Sequence, residues 1–128
     1  MLDDRTPLRR DIDETNFRGG NSNSNLYGWT SYLSRIPGNE DVRPYASPAR
    51  RDDLTGLPPM WIGVGTCDLF HDEHIAYARS LNETGVHCDL HVVEGAFHGF
   101  DIVGFETNSA GKFRGSYQAA LRKALRLS

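Results

Sequence analysis

The strongest constraint in this sequence is the run Met60-Trp61-Ile62-Gly63-Val64-Gly65, an unbroken apolar stretch that follows Pro58-Pro59. A strand with one wet face alternates apolar and polar residues, and this one does not. It has the pattern of a strand covered on both faces in a parallel sheet. Parallel strands need a crossover, and one follows. Residues 72–81 place Ile75, Ala78 and Leu81 on one side of a helix, with Asp72 and Glu73 in the first turn, where the helix dipole favours acids, and Gly85 as the stop. Leu90, Val92 and Val93 are β-formers, so a second strand is expected over 88–93, breaking at Gly95. From 111 to 126, Phe113, Tyr117, Ala120, Leu121 and Ala124 fall on one helix face, with Lys112, Arg114, Gln118, Arg122 and Lys123 around the other. The class is α/β: a right-handed βαβα unit of an open sheet with parallel strands and flanking helices, whose ligands bind beyond the carboxyl ends of the strands.

Residues 1–59 differ from 60–128. Asp, Arg, Asn, Ser, Gly and Pro dominate and apolar residues come singly, so this loop-rich segment is not expected to fold alone. Leu2 reads as the end of a strand stopped by Asp3-Asp4-Arg5-Thr6-Pro7, the pattern of a strand cut in its middle. A run of turn-formers over 19–25 precedes a short helix over 26–33, with Leu26, Trp29 and Leu33 at helical spacing. Its aromatic residues Tyr27, Trp29 and Tyr32 suit either a pocket for an apolar ligand or plain packing. Residues 37–59 read as an extended loop with one helical turn at 48–54.

Composition excludes several classes. With 38% apolar and 24% charged residues the chain is neither disordered nor collagen-like. A net charge of −3 and scattered cations argue against nucleic-acid binding. No apolar run reaches the length of a membrane span, and Met1 leads straight into Leu2-Asp3-Asp4-Arg5, so a cytoplasmic location is expected. Cys67 and Cys88 are too few for a disulfide framework and are expected as reduced thiols.

The loops after the two strands carry the candidate chemistry. Asp68 lies three residues past the first strand, and His98, between Phe97 and Gly99, about five past the second. Phe97 limits solvent access and Gly99 admits another backbone. A carboxylate that accepts one ring N–H of His98 fixes its tautomer and stabilises the imidazolium formed when the other nitrogen takes a proton. Asp68 also suits the cap of the following helix. Weaker candidates are a Cys67 thiol paired with His98 and a metal held by His71 and His74. The first places Leu69 where an elbow needs a small residue; the second lacks a third ligand. Gly63-Val64-Gly65 lacks the third glycine of a dinucleotide loop, and Asp68 would repel a pyrophosphate. No cofactor and no metal are expected.

Several separated motifs resemble the hormone-sensitive-lipase-like branch of the α/β-hydrolases, which are carboxylic ester hydrolases. They are Met1-Leu2-Asp3-Asp4-Arg5-Thr6, Tyr45-Ala46-Ser47-Pro48-Ala49-Arg50, Asp53-Leu54-Thr55-Gly56-Leu57-Pro58-Pro59, Asp68-Leu69-Phe70-His71-Asp72-Glu73, Ala76-Tyr77-Ala78 with Leu81 and Gly85-Val86, and Phe97-His98-Gly99-Phe100. They occur in family order over nearly the whole chain. The resemblance implies a triad acid at Asp68 and a triad base at His98. It also implies an acyl pocket near Trp29, Tyr32 and Leu33, with Phe97 as a further substrate contact, and short-to-medium acyl esters cleaved through an acyl-enzyme.

One departure from that pattern is large. The family's serine stands on a Gly-x-Ser-x-Gly elbow ahead of the acid, with a His-Gly-Gly oxyanion motif before it, and neither motif occurs in these 128 residues. Asn108-Ser109-Ala110-Gly111 imitates the elbow's tail, but Thr107 replaces its first Gly and it follows the His. The sequence reads as the C-terminal part of an esterase, a truncated product or one half of a split enzyme. A small ester substrate is expected only when an N-terminal half completes it, and so is self-association or pairing with that half. The rival reading is an inactive fragment that serves only association.

Overall fold

The structure is a computed structural model that describes residues 1–126. Two strands, β1 (Met60–Cys67) and β2 (Cys88–Phe97), form a parallel sheet joined by α2 (His71–Glu83). The covering expected for an unalternated strand is present. On one face Leu54, Tyr77, Ala78, Leu81, Val86 and Cys88 form a buried cluster against which Met60, Ile62 and Leu90 pack. Tyr77 takes the buried place expected of Ile75, which is only half-buried. On the other face lies α4 (Asn108–Ala124), with Phe113 and Tyr117 edge-on to Trp61 at 5.2 and 5.8 Å between ring centres. Gly63 makes that seat: a β-carbon there would lie 2.2 Å from the Trp61 ring and 2.5 Å from Phe113.

α4 starts three residues before the expected position. Thr107 caps it by accepting the Ala110 N–H at 3.2 Å, so the elbow-like Asn108-Ser109-Ala110-Gly111 forms its first turn. Its apolar face is covered only in the first half, and Leu121 is 58% exposed. Similarly, α1 (Ser22–Leu33) begins within the run read as turns. The Asn21 side chain accepts the Ser24 N–H at 2.9 Å and the Ser24 hydroxyl accepts the Asn21 N–H at 3.2 Å. This reciprocal cap stabilises the helix start by about 1 kcal/mol.

The N-terminal segment holds its path with polar groups. Asp4 is fully buried; its carboxylate accepts the Gly38 N–H at 2.6 Å and faces the Arg50 guanidinium at 3.3 Å, while its own N–H donates to the Ser47 hydroxyl at 3.1 Å. Leu2 is not in a strand. Its carbonyl accepts from the Ala49 N–H and the Ser47 hydroxyl, and its N–H turns to α2. The helical turn expected over 48–54 is a shorter one, Pro48–Arg50.

The sheet register positions the site. From Met60↔Cys88 to Gly65↔Val93 partners are 28 residues apart, but at Cys67↔Phe97 they are 30 apart. β2 thus carries two extra residues and does not break at Gly95. Gly95 absorbs the slip with φ +69°, and its N–H donates to the Thr66 hydroxyl at 2.8 Å. An even slip keeps every side chain on its own face.

Candidate active site

The slip brings together the two side chains singled out in the sequence. Asp68 directly follows β1 and His98 directly follows β2, both nearer the strands than the sequence suggests. They are 30 positions apart, the offset of the shifted register; unshifted pairing would set Asp68 opposite Ala96. His98 Nδ1 and Asp68 Oδ2 are 3.0 Å apart. The carboxylate is 8% exposed, the imidazole 49%. A carboxylate only accepts, so Nδ1 carries the hydrogen of this contact, and in the neutral imidazole that leaves the lone pair on Nε2. The other oxygen, Oδ1, accepts the Phe70 N–H at 3.0 Å, and the Asp68 carbonyl accepts the His71 N–H at 3.0 Å. Asp68 therefore shapes the turn into α2 and holds His98 at the same time.

The surroundings tighten the pair. The Phe70 ring meets His98 edge-on, 5.3 Å between centres. Gly99, at φ +75°, turns the chain into the short helix α3 (Phe100–Val103), which the sequence did not suggest. Asp68 opens into a cleft of about 210 Å³ whose wall includes Thr66, Leu69 and, from the N-terminal segment, Arg9, Ile12 and Phe17. Arg9 bridges Asp11 and Asp72, at 2.6 and 2.9 Å. Hydrogen bonds from His71 and Arg9 hold the Asp72 carboxyl below its usual range. No periodicity or spacing rule points to Thr66, Phe70 or Arg9.

The other candidates separate. Trp29 and Leu33 are buried against Ala46, and Tyr32 is exposed beside Trp29, so none of the three lines the cleft. Phe97 packs against the cluster of Ala96, Phe100 and Ala110. Cys67 ends β1, and among the described residues no hydrogen bond joins it to His98. His71 Nδ1 lies 2.9 Å from Asp72, whereas His74 buries its Nδ1 without a hydrogen bond; burial pushes that imidazole down to about 4.

The family model described as alpha/beta hydrolase fold matches residues 3–102. The chain belongs to the alpha/beta hydrolase family. Within it, the esterase LipW from Mycobacterium marinum superposes with a TM-score of 0.81 at 30% identity, over 98% of this chain and 38% of LipW. A bacterial heroin esterase gives 0.80 at 32% identity, over 96% of this chain and 39% of that one. Arylacetamide deacetylase of Bos taurus is 36% identical over 75 residues, 57% of this chain and 18% of the relative. The carboxylesterase NlhH of Mycobacterium tuberculosis is 34% identical over 73 residues, 57% of this chain and 23% of its own length. The chain thus spans about a fifth of the length of these two curated relatives. Among the described residues, no helix is long and apolar enough to cross a membrane.

Proposed function

We propose that the chain is the acid–base portion of a serine carboxylic-ester hydrolase acting on short-to-medium acyl esters. The observation that carries this reading is the 3.0 Å contact between His98 Nδ1 and Asp68 Oδ2 at the carboxyl ends of adjacent parallel strands. His98 Nε2 takes the serine proton as the hydroxyl attacks the ester carbonyl, then returns it to the departing alkoxide. The buried Asp68 carboxylate stabilises the intervening imidazolium. Water, deprotonated by the same nitrogen, then releases the acid from the acyl-enzyme. The serine and the oxyanion donors come from polypeptide outside these 128 residues, since neither motif lies within them.

Two preparations test this. The purified chain should neither hydrolyse p-nitrophenyl butyrate nor be labelled by a serine-directed phosphonate. Grafted onto the serine-bearing portion of an esterase such as LipW, it should do both. There His98→Ala should lower turnover roughly 10⁴-fold. A loss under about tenfold, or labelling of a serine in the isolated chain, would remove the acid–base reading. A second reading, an association module without chemistry, is favoured by the exposure of Ile102, Val103, Phe105 and Leu121. A graft that folds without activity supports it.

A further inference from the structure

Asp72 and Glu73, neighbours in the first turn of α2, hold opposite ends of one N-terminal stretch. The Glu73 side chain is 3% exposed. One of its oxygens accepts the Leu2 N–H at 2.7 Å, the other accepts the Thr6 hydroxyl at 2.5 Å, and the terminal ammonium stands 3.8 Å away. Asp72 takes the Arg9 guanidinium at 2.9 Å. The stretch pinned in this way then runs past the site. Arg9, Ile12 and Phe17 wall the cleft into which Asp68 opens. Gly19 approaches the His98 carbonyl so closely that a β-carbon there would lie 2.6 Å from its oxygen.

A carboxylate is an expensive group to bury, and burial pushes the Glu73 carboxyl above its usual range despite its hydrogen bonds. An apolar side chain of similar volume fills space at less cost. What it lacks is a pair of acceptors matched to a backbone N–H and a hydroxyl on a segment with few apolar anchors. We propose that Glu73 is a positioning residue: through Leu2 and Thr6 it sets the path of residues 2–19, and so the cleft wall beside Asp68 and the backbone packed against His98. This rests on the acid–base reading of Asp68 and His98.

The test is NMR on the chain itself. In Glu73→Ala the Leu2 amide loses its acceptor, and its hydrogen exchange should accelerate roughly tenfold or more. The His98 Nδ1–H signal should broaden or vanish while the amide signals of β1 and β2 stay in place. Glu73→Gln should keep that signal, because its carboxamide accepts from Leu2 and donates to the Thr6 oxygen. Thr6→Val, which deletes only the hydroxyl, should broaden it by less, and serves if the alanine variant does not fold. An unchanged His98 Nδ1–H signal in the folded variants would overturn the positioning role, since a merely structural clamp alters stability alone. Asp68→Asn, recorded alongside, separates the two failures. If it too leaves that signal unchanged, the Asp68–His98 reading falls, and the role of Glu73 falls with it.

Discussion

Asp68 divides its two oxygens between jobs, Oδ1 on the Phe70 N–H and Oδ2 on His98, and a single substitution separates them. In Asp68→Asn the amide oxygen still accepts from Phe70, but the amide nitrogen then faces His98 Nδ1 and favours the wrong tautomer. Thermal unfolding of the isolated chain should therefore shift little, while turnover of the grafted enzyme should fall roughly 10⁴-fold; equal losses in both would mean that the turn is its main role. His74 gives a pH prediction. Its imidazole, near 6.5 when free, is pushed by burial to about 4 in the fold, so the unfolded chain takes up a proton that the folded chain resists. Stability should be unaffected by this group above pH 6.5 and fall between 6.5 and about 4, by at most roughly 3 kcal/mol given partial exposure. Glu73, raised by burial, runs the other way: its contribution grows as pH falls through its folded value toward 4.5. Urea midpoints at pH 7 and 4.5 should converge in His74→Gln, and a variant with the wild-type gap would place the acid sensitivity elsewhere.

The decisive element is β2, where two extra residues carry the register from Asp68-opposite-Ala96 to Asp68-opposite-His98. Gly65 and Gly95 make the slip possible. A β-carbon on Gly65 would lie 2.0 Å from the Ala96 carbonyl oxygen, a backbone atom that cannot rotate away, and Gly95 sits at φ +69° with its N–H on Thr66. Gly95→Ala should cost about 1–2 kcal/mol from its backbone conformation alone. Gly65→Ala should cost about 1–3 kcal/mol as an overpacked site, and should also lengthen the Asp68–His98 contact; unfolding curves and loss of the downfield Nδ1–H signal check the two effects. The existence of β1, α2, β2 and α4 was legible because apolar runs and helical spacing report burial directly. The slip was not, because Glu94-Gly95-Ala96 reads as a strand end when no partner strand is in view. Nor was the start of α1, where Asn21 and Ser24 supply a cap from residues that also favour turns. Glu73 reads in the sequence as a first-turn acid favoured by the helix dipole, and only the path of Leu2 and Thr6 shows it buried.

At the scale of the molecule, two strands cannot use up the surfaces they create. β1 pairs with β2 on one edge only, and each strand leaves its other edge unpaired by any strand among the described residues. The apolar stripe of α4 meets the sheet through Ala110, Phe113 and Tyr117, then continues into Leu121 and Leu125, which are exposed, as are Ile102, Val103 and Phe105 near its start. At about 25 cal/mol per Å² of apolar area, covering even a few hundred Å² of such surface yields several kcal/mol, comparable to the stability of a small domain. The partner at hand in a pure preparation is a second copy, which can pair an open strand edge and bury Leu121 and Leu125 in one contact. Sedimentation velocity at micromolar concentration should accordingly show a dimer or larger species whose share rises with concentration. Leu121→Asp with Leu125→Asp, at the uncovered end of that stripe, should shift that distribution toward monomer while the amide signals of β1 and β2 stay in place. A monomer at all concentrations that unfolds cooperatively and binds no hydrophobic dye would show instead that α4 and the sheet need no second copy.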